Sequence, residues 1–181
     1  MVLILLATVT SSAMAQAVSY RLLATTKTST MQKEMNEAAD AGYRFGGVMG
    51  GDTAFGGGEV LAIMVRMPEV APKYAYRLLA TSKTSTMQKE MQEAGDAGFE
   101  YRGQTVFSST FGGEEVVVIL ERDKDEAIRY EIKLLATSKS STLEKELQEL
   151  GAQGFDVVGM TVGKTALGGK ELVAILRRQR R

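Results

Sequence analysis

The chain has no cysteine, no histidine and no tryptophan. Without cysteine there is no disulfide to stabilise a fold and no thiol nucleophile. Without histidine there is no Ser-His-Asp triad, no imidazole base and none of the usual zinc ligand sets. Stability must therefore come from packing. An excess of charge is missing as well. Lys+Arg and Asp+Glu both number 22, so the formal net charge is zero, and nothing broadly attracts nucleic acid or an anionic membrane. Proline is scarce, and its two copies, Pro68 and Pro72, fall in one short stretch. No motif requires a cofactor.

What the chain does have is repetition. Leu22-Leu23-Ala24-Thr25 recurs as Leu78-Leu79-Ala80-Thr81 and as Leu134-Leu135-Ala136-Thr137, a step of 56 residues each time (22 to 78 to 134). Gly42, Gly98 and Gly154 keep the same step, as do Glu59, Glu115 and Glu171. A tandem triplication fixes the organisation before any single residue is considered. It divides the 181 residues into an N-terminal segment, 1–17, and three units, 18–70, 71–126 and 127–181. A unit of this size is marginal alone, because it buries only about 60% of the surface its unfolded chain exposes. Hydrophobic residues at 44% and charged residues at 24% are ordinary globular usage.

The N-terminal segment lies outside the repeat. Val2-Leu3-Ile4-Leu5-Leu6-Ala7 is too short to span a bilayer and is followed by Ala13-Met14-Ala15. An apolar run ending at a small-x-small site reads as a secretory signal peptide, cleaved before Gln16 or before Val18. The alternative is an extra edge strand, since Leu5-Leu6-Ala7-Thr8 echoes Leu22-Leu23-Ala24-Thr25. The expected location is periplasmic or extracellular, with no membrane anchor in the mature chain.

Within the middle unit, the run from Tyr76 to Thr81 predicts a strand. Ser85-Thr86-Met87-Gln88 fits a capping box, with Ser85 as N-cap and Gln88 reaching back. Apolar or small residues at Met87, Met91, Ala94, Gly95 and Gly98 form a helical stripe. Gly98 is placed to end the helix in the left-handed conformation, with Phe99 packing back. Two strands follow, Tyr101 to Phe107 and Glu115 to Arg122, joined at a glycine turn. The second is apolar without alternation, as expected of a strand covered on both faces. The fold class is therefore α+β: three βαββ repeats, each an antiparallel three-stranded sheet in order 1-3-2 with one helix on one face. The other face needs cover from a neighbouring repeat or another chain.

The third unit carries Leu147-Gln148-Glu149-Leu150-Gly151-Ala152-Gln153-Gly154-Phe155-Asp156, then a closing strand Val173-Ala174-Ile175-Leu176-Arg177-Arg178. It resembles the small bacterial family called domain of unknown function 4177. The middle unit matches through Gly95, Gly98, Phe99 and Glu100; the first departs, with Ala39 and Arg44 in place of glycine and acid. The resemblance implies a βαββ fold and supplies no catalytic residues.

Several groups of residues are candidate sites. Lys27 with Ser29, Lys83 with Ser85 and Lys139 with Ser141 precede or open the helices, where a cation, hydroxyls and free N–H groups hold an anion; helix capping with a solvated lysine is the simpler reading. Met31, Met35, Met87 and Met91 fall on the core stripe, where the third unit has Leu143 and Leu147, so packing is favoured over soft-metal binding. Gly163-Lys164-Thr165 lacks the spacing and context of a phosphate loop. Phe55, Phe111 and Leu167 beside the hairpin glycines are candidate partner contacts. The basic run Arg177-Arg178-Gln179-Arg180-Arg181 reads as a solvated end. No set of residues here combines acid, base and nucleophile. The expected function is an exported, non-enzymatic binding or structural module. Its partner is left open between another protein and self-association, without nucleic acid. The alternative is an enzyme or binder of a small anionic ligand held at the helix N-termini or between repeats.

Overall fold

The computed structural model describes residues 17–53, 57–66, 73–81, 83–108, 114–164 and 170–180. The N-terminal segment through residue 16 and the hairpin tips with Phe55, Phe111 and Leu167 lie outside them. The first repeat comprises β1 (Ser19–Thr25), α1 (Thr28–Asp40), β2 (Arg44–Thr53) and β3 (Gly57–Arg66). The second comprises β4 (Tyr74–Thr81), α2 (Thr84–Asp96), β5 (Glu100–Ser108) and β6 (Glu114–Asp123). The third comprises β7 (Arg129–Thr137), α3 (Ser140–Ala152), β8 (Asp156–Lys164) and β9 (Lys170–Arg180). The three sheets run β1-β3-β2, β4-β6-β5 and β7-β9-β8, every pair antiparallel. This is the 1-3-2 order expected from the sequence.

Each helix ends as its glycine dictates. Gly42, Gly98 and Gly154 have φ of 85, 84 and 82°. The next residue's N–H reaches back to the carbonyl five residues earlier: Tyr43 to Ala38, Phe99 to Ala94 and Phe155 to Leu150, at 2.9–3.1 Å. That is a Schellman closure, and it needs a residue free to adopt positive φ. The helix starts differ from the expected capping box. Lys27, Lys83 and Lys139 occupy the N-cap positions in extended conformation, without a side-chain cap bond. Thr25, Thr81 and Thr137 instead accept from the lysine backbone N–H through their hydroxyls, at 3.1–3.2 Å. Gln88, the expected capping partner, is engaged with the next repeat.

The core lies in layers. Met31, Met35 and Ala38 of α1 pack on Val60, Ala62 and Met64 of the first sheet, and all six are buried. The same cluster takes in Tyr74, Tyr76, Val117 and Ile119, which belong to the second sheet. A second cluster joins α2 and its own sheet to Ile132 and Ile175 of the third. The helices α1 and α2 are thus each sandwiched between their own sheet and the next one, while α3 packs on its own sheet alone. The central strands β6 and β9 are apolar on both faces because both faces are covered: one by the repeat's own helix, the other by the preceding repeat. The described residues form a stack of sheet and helix layers, with a sheet at one end and a helix at the other.

Candidate interaction surface at the ends of the stack

The two internal joints show what the end faces are built to meet. At the first, two amides of α1 bind the free edge of β4. Gln32 Oε1 accepts from Leu78 N–H at 2.8 Å. Asn36 accepts from Tyr76 N–H through Oδ1 and donates to Tyr76 O through Nδ2, both at 2.9 Å. At the second joint, Gln88 and Gln92 do the same for β7. Gln88 Oε1 accepts from Leu134 N–H at 2.7 Å, Gln92 Oε1 from Ile132 N–H at 2.9 Å, and Gln88 Nε2 donates to Ile132 O at 2.9 Å. An unpaired strand edge is otherwise an open template for another chain. Here the preceding helix satisfies it with side chains at i and i+4, which project from one helix face.

Beside the helices the sheets meet directly. A β-bulge separates the pairings of Phe45 and Gly47, and the same shift recurs at Tyr101/Gly103 and Val157/Gly159. The extra residue turns the aromatic toward the next repeat and the glycine toward the previous one. A Cβ on Gly103 would lie 3.1 Å from the Phe45 ring, and one on Gly159 would lie 2.6 Å from the Tyr101 ring. Glycine at both positions leaves the rings room, and a side chain there would displace them.

A chain of charges crosses both joints. Arg44 Nη2 lies 2.8 Å from Glu121 Oε1. Arg102 lies 3.5 Å from Glu121 and 3.7 Å from Glu100. Glu100 in turn pairs with Arg177. Arg44 and Glu121 stand at the same repeat positions as Glu100 and Arg177, so the pair is kept with its polarity reversed. Glu121 is buried and also accepts from Tyr76 Oη at 2.7 Å, while Tyr76 Oη accepts from Phe45 N–H at 2.8 Å. The bond to Glu121 holds the Arg44 guanidinium more firmly protonated than usual. Burial, with the Glu121 carboxylate beside it, pushes the Tyr76 phenol far above its ordinary value.

Among the described residues these joints are open at the ends. Tyr20, Tyr76 and Ile132 are the same repeat position, and their exposures are 69%, 3% and 1%. Leu22, Met49, Ile63 and Val18 are exposed with Tyr20. Leu22 and Ile63 are paired neighbours across β1 and β3, so one face of the first sheet presents a continuous apolar surface. A Cβ on Gly47 meets nothing within 4 Å, although its equivalents Gly103 and Gly159 each hold a ring. At the other end, Val157 and Met160 of β8 are exposed, as are Glu144 and Gln148 of α3. Only Leu143 and Leu150 of α3 are fully buried, and Leu147 is half-covered where Met35 and Met91 are sealed.

The candidate sites of the sequence lie elsewhere. Lys27, Lys83 and Lys139 are exposed at the helix starts, and so are Ser29, Ser85 and Ser141. Their backbone is ordered by the threonine turns above, and no described contact aims the lysines at a common point. Met31, Met35, Met87 and Met91 are buried core residues, as the stripe implies. Glu171 accepts from the Thr84 hydroxyl of the preceding repeat at 2.5 Å. Among the described residues no group of three or more carboxylates stands at metal-ligating spacing, and no helix is long and apolar enough to cross a membrane. The open sheet face carries no motif; its signal in the sequence is the two-sided apolar character of β3, whose outer face no described repeat covers.

Comparison with models of known families, with curated proteins and with solved structures finds no significant match.

Proposed function

We propose that this protein is an exported, non-catalytic interaction module, a stack of three βαββ repeats that docks a protein surface on the open face of its first sheet. The observation that carries this reading is that face. Tyr20, Leu22, Met49 and Ile63 are large, apolar and exposed at positions whose equivalents in the other repeats are covered. Contiguous exposed apolar surface on a folded domain marks an interaction site. Export is supported by the apolar run ending at Ala13-Met14-Ala15, and the resemblance to domain of unknown function 4177 fits a βαββ module without carrying an activity.

A photo-crosslinking residue in place of Tyr20, expressed in the native host, tests the reading. Irradiation should give a discrete protein adduct, lost when Ile63 is replaced by lysine. The same probe at Lys33, on the exposed side of α1, should give none. An adduct pattern indistinguishable between positions 20 and 33 would sink the proposal.

A further inference from the structure

We propose that the occupant of the open sheet face is the third repeat of a second copy, so that chains add head to tail through a joint built like the two inside each chain. This deepens the interaction reading above and rests on it.

The first support is the kind of surface at each end. Every internal joint seats a helix, with the exposed side of its neighbouring strand, on the bare face of the next sheet. Among the described residues the stack ends in one bare sheet face and one uncovered helix face. The two ends are therefore the two halves of one more joint, and such heterologous contacts repeat from copy to copy.

The second support is residue by residue. Advancing one repeat from the second joint sets Glu144 opposite Leu22 and Gln148 opposite Tyr20. At the first joint Gln32 accepts only, while Asn36 both accepts and donates. A carboxylate at Glu144 reproduces the first role and the amide of Gln148 the second. The same step brings Val157 over Gly47, where a Cβ would meet nothing. It also brings Gly151 against β1; a Cβ on Gly151 meets nothing within 4 Å, whereas one on its equivalent Gly95 would lie 2.6 Å from Tyr130 O.

The ion pairs are not repeated. Asp40 pairs with Lys124 at 3.0 Å and Asp96 with Arg180 at 2.7 Å, but the third equivalent is Ala152. Val65 stands where Glu121 and Arg177 stand. The joint between chains is thus apolar and hydrogen-bonded. It is weaker than the internal ones, concentration-dependent and not dissolved by salt.

Sedimentation of the full chain tests this. The weight-average mass should rise with concentration past that of a dimer, and should still do so in about 1 M salt. Leu22→Lys blocks the sheet end and Met160→Lys the helix end, each at a position exposed in the single chain. Each variant alone should remain monomeric with an unchanged circular dichroism spectrum. An equimolar mixture of the two should form a heterodimer, because one intact end of each kind remains. Tyr20→Lys should behave as Leu22→Lys does. A Met160→Lys chain that still dimerises alone would mean that two sheet faces pair, and it overturns the proposal. So does a wild-type chain that stays monomeric, or one whose association vanishes in salt. If the chain is monomeric but the adduct at position 20 contains a different protein, head-to-tail assembly falls and the interaction reading stands.

Discussion

Tyr76 has two functions at the first joint. Its hydroxyl accepts from Phe45 N–H and donates to the buried Glu121 carboxylate, tying β2 of one repeat to β6 of the next. Tyr76→Phe keeps the ring but leaves Phe45 N–H without its acceptor and removes a partner from Glu121. A buried polar group left unpaired costs about 1–3 kcal/mol, and urea unfolding should show a loss of that size. The pH dependence has a definite sign. The folded-state pKa of Tyr76 is raised above the ordinary 10.0. Its contribution is therefore fully present below pH 10 and is lost as pH rises toward the folded value, because the unfolded chain releases the proton first. Each proton so released steepens the loss by about 1.4 kcal/mol per pH unit. Tyr76→Phe should flatten the alkaline limb of stability against pH by that amount. Tyr101 and Tyr130, also raised by burial, leave a residual slope. An unchanged limb would mean that Tyr76 ionises freely in the folded chain.

At the scale of the element, α2 and α3 carry glycine at the same position with opposite surroundings. Gly95 lies against β7, where a Cβ would come within 2.6 Å of Tyr130 O and 3.1 Å of Ile132 Cδ1. Backbone cannot yield as a side chain does. Gly95→Ala should therefore lift α2 from β7 and destabilise by about 1–3 kcal/mol. Gly151 faces open space in the single chain, so Gly151→Ala restricts the unfolded chain without a clash. It should stabilise α3 by about 0.5–1 kcal/mol. Thermal melts at dilutions where the chain is monomeric should move in opposite directions for the two variants. The same sign for both would contradict the helix-on-next-sheet packing.

At the scale of the whole molecule, stability is shared between neighbours. In the second repeat, Tyr76, Val117 and Ile119 are covered by the first, and the edge of β4 is bonded by Gln32 and Asn36. Exposing a large buried apolar side chain costs about 1.5–3 kcal/mol. Three such losses approach the full stability of a small domain, about 5–15 kcal/mol. A fragment from Tyr74 to Lys124 should therefore melt far below the full chain or self-associate, as seen by circular dichroism and sedimentation. A monomeric fragment as stable as the parent would show three independent units.

Much of this was legible in the sequence because it is local. The helix-ending glycines, the apolar methionine stripe and the two-sided character of the central strands each follow from backbone conformation or periodicity within one repeat. The step of 56 residues then gave the same fold three times, and the 1-3-2 order followed from connection handedness. What the tertiary structure decided is how the repeats meet: the sequence required cover for the second sheet face and left open whether a neighbouring repeat or another chain supplies it. Gln32, Asn36, Gln88 and Gln92 read in sequence as a capping residue or as polar positions on a helix, yet they bond strand edges 40 to 46 residues away. Gly47, Gly103 and Gly159 carry no mark that separates an occupied hollow from an empty one. Tyr20 and Tyr76 are identical in type and in local context; Tyr76 is sealed because the first repeat packs over it, and no described repeat packs over Tyr20. Local patterns specify what a residue is suited to meet, and the order of stacking specifies whether it is met.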